Sequence, residues 1–148
     1  MSLSQVFNIA GSAMSAQTTR LNTVSSNIAN AQSVSSSEGG TYRARHPVFA
    51  SVLQQSKDFS SSASLFAESQ EAGVGVAVLG VVEDTSSLTP RYEPGHPAAD
   101  ENGYVYYPNV NVVEEMADMI SASRAFQANV QVMDSARQMM LKVLTLGQ

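Results

Sequence analysis

Two heptad-patterned segments, one at each end of the chain and both nearly free of charge, constrain this sequence more than any other feature. In steps of four and three, the first runs through Leu3, Phe7, Ala10, Met14, Gln17, Leu21, Val24, Ile28 and Ala31. The last runs through Val112, Met116, Met119, Ser123, Phe126, Val130, Met133, Arg137, Met140 and Leu144. Each holds a coiled-coil spacing over about four heptads. Such helices normally turn Lys and Glu towards water. Here Arg20 is the single charged residue of the first segment, whose other faces carry Ser, Ala, Thr, Asn, Gln and Gly. Small neutral residues all round suit close packing against several neighbours, as in a subunit of an assembly. The alternative is one self-contained bundle, whose outward faces would then meet solvent poorly. Gln17, Ser123 and Arg137 on the stripes argue against a dry two-stranded zipper and suit a register-fixing role.

At 148 residues the chain is one domain's worth, but the terminal helices leave the middle only a small core. The net charge of −5 lacks the basic footprint of a nucleic-acid binder. Cysteine is absent, which excludes disulfides and thiolate metal sites. The most apolar run, Val74 to Val82, is far shorter than the ~20 residues that cross a bilayer, so no membrane insertion is expected. The N-terminus does not read as a cleavable secretory signal. It has no Lys or Arg before Arg20, and Ser4, Gln5, Asn8 and Gly11 interrupt any apolar stretch.

Leu3 to about Ala31 reads as helix, ended by the turn-forming Ser33–Gly40 stretch. Thr41 to Leu53 reads as a short strand interrupted at Pro47, with a turn of helix after it. Lys57 to Ser64 is Ser-rich and reads as loop. Gly73 to Glu83 is β-branched and reads as a strand, with Asp84 to Pro90 as a turn and Arg91–Tyr92 starting the return strand of a hairpin. Pro94, Pro97 and Pro108 keep Glu93 to Asn109 extended and out of regular helix or mid-sheet strand. Asn111 fits a helix N-cap, with Glu114, Glu115 and Asp118 near the positive end of a helix that runs to about Leu146. The expected fold is mainly α with a small β-rich insert. Terminal helices in 1–32 and 111–148 form one helical unit, and 33–110 is β-rich or extended with a Ser-rich loop.

No catalytic, cofactor or metal constellation stands out. His46 and His96 each precede a proline, with no further ligand at helical spacing. Asp84, Asp100 and Glu101 sit in polar, turn-like stretches where a solvated carboxylate is the ordinary outcome. Gly73, Gly75 and Gly80 lie inside a strand pattern and do not match a dinucleotide fingerprint. No serine occupies a nucleophile elbow. The methionines of the last helix lie on its stripe, where they fill packing gaps.

Ser12 to Ala31, SAMSAQTTRLNTVSSNIANA, resembles the N-terminal signature of the bacterial flagellar axial family of rod and hook subunits, most closely at Asn27-Ile28-Ala29-Asn30. Glu115 to Leu141, EMADMISASRAFQANVQVMDSARQMML, resembles the family's C-terminal signature. Pro94 to Asn111, PGHPAADENGYVYYPNVN, is similar to a block typical of the family's proximal rod branch. The resemblance implies an exported structural subunit whose terminal helices pair and stack around a central channel, with the β-rich middle outside. It also implies flagellar type III export without cleavage and a place in the periplasmic rod of the basal body. The implied partners are other copies of the chain, other rod subunits, and the adapter and ring proteins at the rod base. Torque would pass through it passively.

The expected subunit interface comprises Leu3, Phe7, Met14, Leu21, Val24, Asn27, Ile28 and Asn30 of the first helix. From the second it takes Val112, Met116, Met119, Phe126, Val130, Met133, Met140 and Leu144. A different axial subunit is the nearest alternative, against which Tyr104-Val105-Tyr106-Tyr107 discriminates. A soluble coiled-coil adapter or export chaperone is the alternative from another class, and would remain a small oligomer.

Overall fold

The computed structural model describes residues 3–53 and 73–146; the Ser-rich stretch read as loop lies outside them. Helix α1 spans Leu3–Asn30, strand β1 Arg45–Leu53, β2 Gly73–Glu83, β3 Thr89–Tyr92, β4 Tyr104–Tyr107 and helix α2 Val112–Leu146. A 3-10 turn, Glu38–Gly40, lies between α1 and β1. The expected mainly α architecture with a small β insert is present, and both helices begin where the heptad reading starts them. Asn111 caps α2, its Oδ1 accepting from the Val113 N–H at 3.2 Å.

The two helices pack on each other within the chain. They run antiparallel, since Arg20 meets Asp118 and the later Asn27 meets the earlier Glu115. At ~1.5 Å per residue α1 is about 42 Å long and α2 about 52 Å. Counting back from those contacts, Leu3 lies level with roughly positions 135–139, so the last turns of α2 have no α1 opposite them.

The buried face is displaced from the expected stripes by one residue on both helices. Ala16, Thr23 and Asn27 are buried, each just before Gln17, Val24 and Ile28; Ala10 and Val24 are buried on the stripe itself. On α2 the buried positions are Glu115, Ala122 and Ala136, each just before Met116, Ser123 and Arg137. Where the contact residue is alanine, as at Ala16, Ala122 and Ala136, the helix backbones can approach closely, and longer side chains such as Met116 and Val130 are exposed on the flanks.

β1 and β2 form an antiparallel hairpin from Arg45↔Glu83 to Leu53↔Gly73, with a β-bulge that leaves Leu79 as the extra residue. β1 runs through Pro47 without the expected interruption. The sheet has two strands, so each strand has a free edge where a missing N–H costs nothing. The return strand expected at Arg91–Tyr92 does not pair with β2. It belongs to β3, which pairs with β4 from Thr89↔Tyr107 to Tyr92↔Tyr104. The partner of β2 is β1, the strand that precedes it in the chain, a pairing that turn patterns alone do not specify. Ser35 adds a bridge on the other edge of β4, exchanging both backbone hydrogen bonds with Tyr106. Val105 is fully buried beneath this small sheet, with Leu88 and Ala44 also buried.

The hairpin lies against α1, and Gly75 makes the close approach possible. Its φ is +151°, and a Cβ there would collide with Ser12 Oγ, which accepts a hydrogen bond from the Val76 N–H at 3.1 Å. Replacing Gly75 with Val should therefore loosen the hairpin from α1 at a cost of about 1–3 kcal/mol. The measurement is the urea midpoint of the folded chain; an unchanged midpoint would show that the hairpin does not need this approach.

Candidate assembly interface

The chain's most concentrated polar site lies where α1, the start of β1 and the first turn of α2 meet. Asn27 is fully buried there. Its Oδ1 accepts from the Arg45 N–H at 3.0 Å and from the Tyr42 hydroxyl at 2.8 Å. Its Nδ2 donates to the Arg45 carbonyl and to Glu115 Oε1, both at 2.9 Å. An amide offers two acceptor positions and two N–H donors, and all are used. Towards Arg45 the side chain acts as a neighbouring strand would, exchanging both hydrogen bonds with one residue.

The adjacent backbone is held in a matching way. Asn109 Oδ1 accepts from the Ala44 N–H at 2.8 Å, and the Ala44 carbonyl accepts from the Asp84 N–H at 2.7 Å. The Arg45 guanidinium bonds Glu83 at 2.9 Å and lies 5.4 Å from the centre of the Tyr42 ring. The backbone of Ala44 and Arg45 is thus fully paired. Arg20, the single charge on α1, pairs with Asp118 at 3.2 Å; both are partly exposed, so the pair orients more than it stabilises.

Glu115 is the anomaly. It is 5% exposed, and only one carboxylate oxygen has a partner; Oε2 is buried without one among the described residues. Burial raises its carboxyl above the usual 4.5, opposed by the Asn27 hydrogen bond and the nearby His46, and reinforced by Asp118 and Glu114. From sequence, Glu115 reads only as an acid favourable to the helix start. An acid three residues after Val112 and four before Met119, on a face otherwise apolar, was the available signal of burial.

Three of the side chains weighed for chemistry, Asp84, Asp100 and His96, have structural roles. Asp84 accepts from the Ser86 N–H and hydroxyl, both at 2.9 Å, which holds its carboxyl below the usual carboxylate range. Asp100 Oδ1 accepts from the Asn102 and Tyr104 N–H groups, shaping the turn before β4. His96 Nδ1 accepts from the Ala98 N–H at 3.0 Å. No three His, Asp or Glu side chains stand close enough to hold a metal among the described residues. No described helix is long and apolar enough to cross a membrane.

The residues expected at a subunit interface fall into three groups. Val24 and Asn27 are buried within the chain itself. Leu3, Phe7, Met14, Leu21, Ile28, Asn30, Val112, Met119, Phe126 and Met133 are half-buried. Met116, Val130, Met140 and Leu144 are exposed. Asn30 bonds the Ser26 carbonyl of its own helix.

Removing the Asn27 amide by Asn27→Ala strands the Arg45 N–H and carbonyl. It should destabilise the chain by about 2–3 kcal/mol in denaturant melts, since each buried orphan costs about 1–3 kcal/mol. A loss within error of zero would show that water or another side chain replaces the amide. Glu115 makes stability depend on pH. Its raised carboxyl holds the proton more tightly when folded, so its contribution is full below about pH 4.5 and is lost as pH rises through the raised value. Glu115→Gln keeps an oxygen for Asn27 and should flatten that decline in midpoints measured from about pH 4 to 7. An equal decline in both proteins would assign it to other groups.

Comparison with known proteins bears on this helix pair directly. Residues 7–34 match the family model described as flagella basal body rod protein, and residues 101–146 the one described as flagellar basal body rod FlgEFG protein C-terminal. The chain is 46% identical to the flagellar basal-body rod protein FlgC of Salmonella typhimurium over the whole of both chains. The identity to FlgC of Yersinia enterocolitica is also 46% over both full lengths. With FlgC of Borreliella burgdorferi it is 37%, over all of this chain and 99% of that one. The two family models match most of α1 and all of α2, and full-length similarity joins them through the polar site between, so the chain belongs to the FlgC family of flagellar basal-body rod proteins.

Proposed function

We propose that this rod protein assembles through its paired terminal helices, with residues 1–32 and 111–148 forming an inner tube around the export channel. The β-rich 33–110 region lies outside and meets neighbouring subunits. One observation carries the reading: α2 leaves long apolar side chains exposed. Met116, Ile120, Met139, Met140, Leu141, Val143 and Leu144 are all more than 40% exposed, while most buried apolar positions of the helix pair are alanines. A helix that keeps its small residues for its own chain and offers its large ones outward is suited to further helices as neighbours.

The partners in this reading are other copies, related rod subunits, and the adapter and ring proteins at the rod base. The chain reaches the periplasm through the flagellar type III apparatus, without cleavage, and carries torque passively. It is not an enzyme in this reading and needs no cofactor. The relatives named as rod proteins and the structural use of His96, Asp84 and Asp100 support that view.

Met140→Asp and Leu144→Asp test the interface without touching the chain's own core, since both residues are exposed. Each should leave the circular dichroism of the isolated chain unchanged and abolish swimming, because an unpaired carboxylate buried between subunits costs several kcal/mol. Electron microscopy of basal bodies should show the rod missing. Normal swimming of both variants would remove this part of α2 from any interface.

A further inference from the structure

Later turns of α2 bury alanines, Ala122 and Ala136, but its first turn buries an acid. Upstream of that turn the chain is well anchored. Pro108 is buried, and the Asn109 side chain is tied to the Ala44 N–H and to Ser86 Oγ. Downstream, Ala122 is fully buried. Of the described residues between Asn109 and Ala122, Glu115 is the only buried one, and Val113 and Met116 beside it are exposed. Two side-chain contacts hold this stretch to α1. Glu115 meets Asn27 at 2.9 Å and, about one turn on, Asp118 meets Arg20 at 3.2 Å.

These contacts respond to ionisation in opposite ways. Arg20–Asp118 is an ion pair and needs both charges. Glu115 forms no ion pair among the described residues, and its Oε2 is buried without a partner. Once ionised, that oxygen has given up water and found nothing in exchange. Turning outwards returns it to water. On α2, Glu114 and Asp118 oppose its charge; from β1, His46 favours it, and from α1 Asn27 donates one hydrogen bond. The other charged or titratable groups nearby are engaged elsewhere: Arg20 by Asp118, Arg45 by Glu83, and the Tyr42 hydroxyl by Asn27 Oδ1. Burial prevails and raises the carboxyl, so the closed turn holds a proton more tightly than an opened one. Asn27 itself does not need Glu115 to stay in place, since its other hydrogen bonds go to Arg45 and Tyr42.

We propose that the first turn of α2, Val112 to Met116, is a proton-sensitive clasp. With Glu115 protonated the turn closes on Asn27; as Glu115 ionises it releases, while Arg20–Asp118 and the rest of the helix pair stay closed. A single turn parted from its packing does not hold helix by itself, so release also unwinds it. Val113 and Met116 lie on that turn, so release changes the apolar surface that α2 offers to neighbours. The clasp belongs to the chain's own fold and does not depend on the rod-assembly reading.

Amide hydrogen exchange of the full chain, expressed as protection factors from about pH 4.5 to 7.5, reads local opening directly. The Met116 and Ala117 amides should lose protection as pH rises, by up to about tenfold per pH unit, the slope for one released proton. Amides from Ala122 to Val130, and that of Arg45, should keep theirs. Glu115→Gln cannot ionise and should remove the slope at Met116 and Ala117. Parallel loss along all of α2 would be global unfolding and overturns the clasp, as does a flat profile or an α2 unprotected at every pH. An unchanged slope in Glu115→Gln, or loss at Arg45 in step with Met116, overturns it as well. Should Glu115→Gln fail to fold, the contrast between Met116 and Ala122–Val130 in the unsubstituted chain decides.

Discussion

Asn27 is the constraint on which the rest of this structure depends. One buried amide exchanges two hydrogen bonds with the backbone of Arg45, accepts from Tyr42 and donates to Glu115, so α1, β1 and α2 share a single fixed point. From there the hairpin follows α1 to its next polar contact, where Val76 meets Ser12. Along α1, Ser12 to Asn27 spans about 22 Å; along β1, Arg45 to Ser51, the partner of Val76, spans about 20 Å. The two lengths agree, so both contacts form without distorting either element. A hydrophobic residue at position 27 could fill the space but would leave the Arg45 backbone unpaired.

Packing around this point relies on small residues. Ala10, Ala16, Ala122 and Ala136 are buried between or beside the helices, and Val24 is the largest buried apolar side chain of the pair. Alanine brings backbones close and costs no side-chain entropy, yet it removes little apolar surface from water. The chain on its own gains correspondingly little hydrophobic stabilisation, and much apolar surface is left on α2. For a member of a rod protein family, this division fits a subunit whose folding and assembly draw on the same two helices.

Polar side chains elsewhere satisfy backbone groups, Asp84, Asp100 and His96 within turns and Asn109 across to Ala44. This lets the proline-broken segments cross the surface without orphaned donors. Glu115 is the exception. It is retained in a buried place with one oxygen unpartnered, at the point where α2 first touches the rest of the chain.

Local pattern by itself determined the two helices, the Asn111 cap of α2 and the β2 strand, because heptad spacing, a capping residue and a β-branched run are local properties. The family signature at Asn27-Ile28-Ala29-Asn30 did not disclose the use of Asn27, which faces the chain's own backbone. What only the tertiary structure decided was every relation between distant segments. β2 pairs with β1 and not with the strand that follows it, since turn residues do not record which distant edge is free. The buried helix faces lie one residue from the apolar stripes, where small alanines and the hydrogen-bonded Asn27 and Glu115 take the closest contacts. Glu115 left a single acid on an apolar face as its trace in the sequence. Its burial depends on three elements converging there, and that convergence is a property of the folded chain.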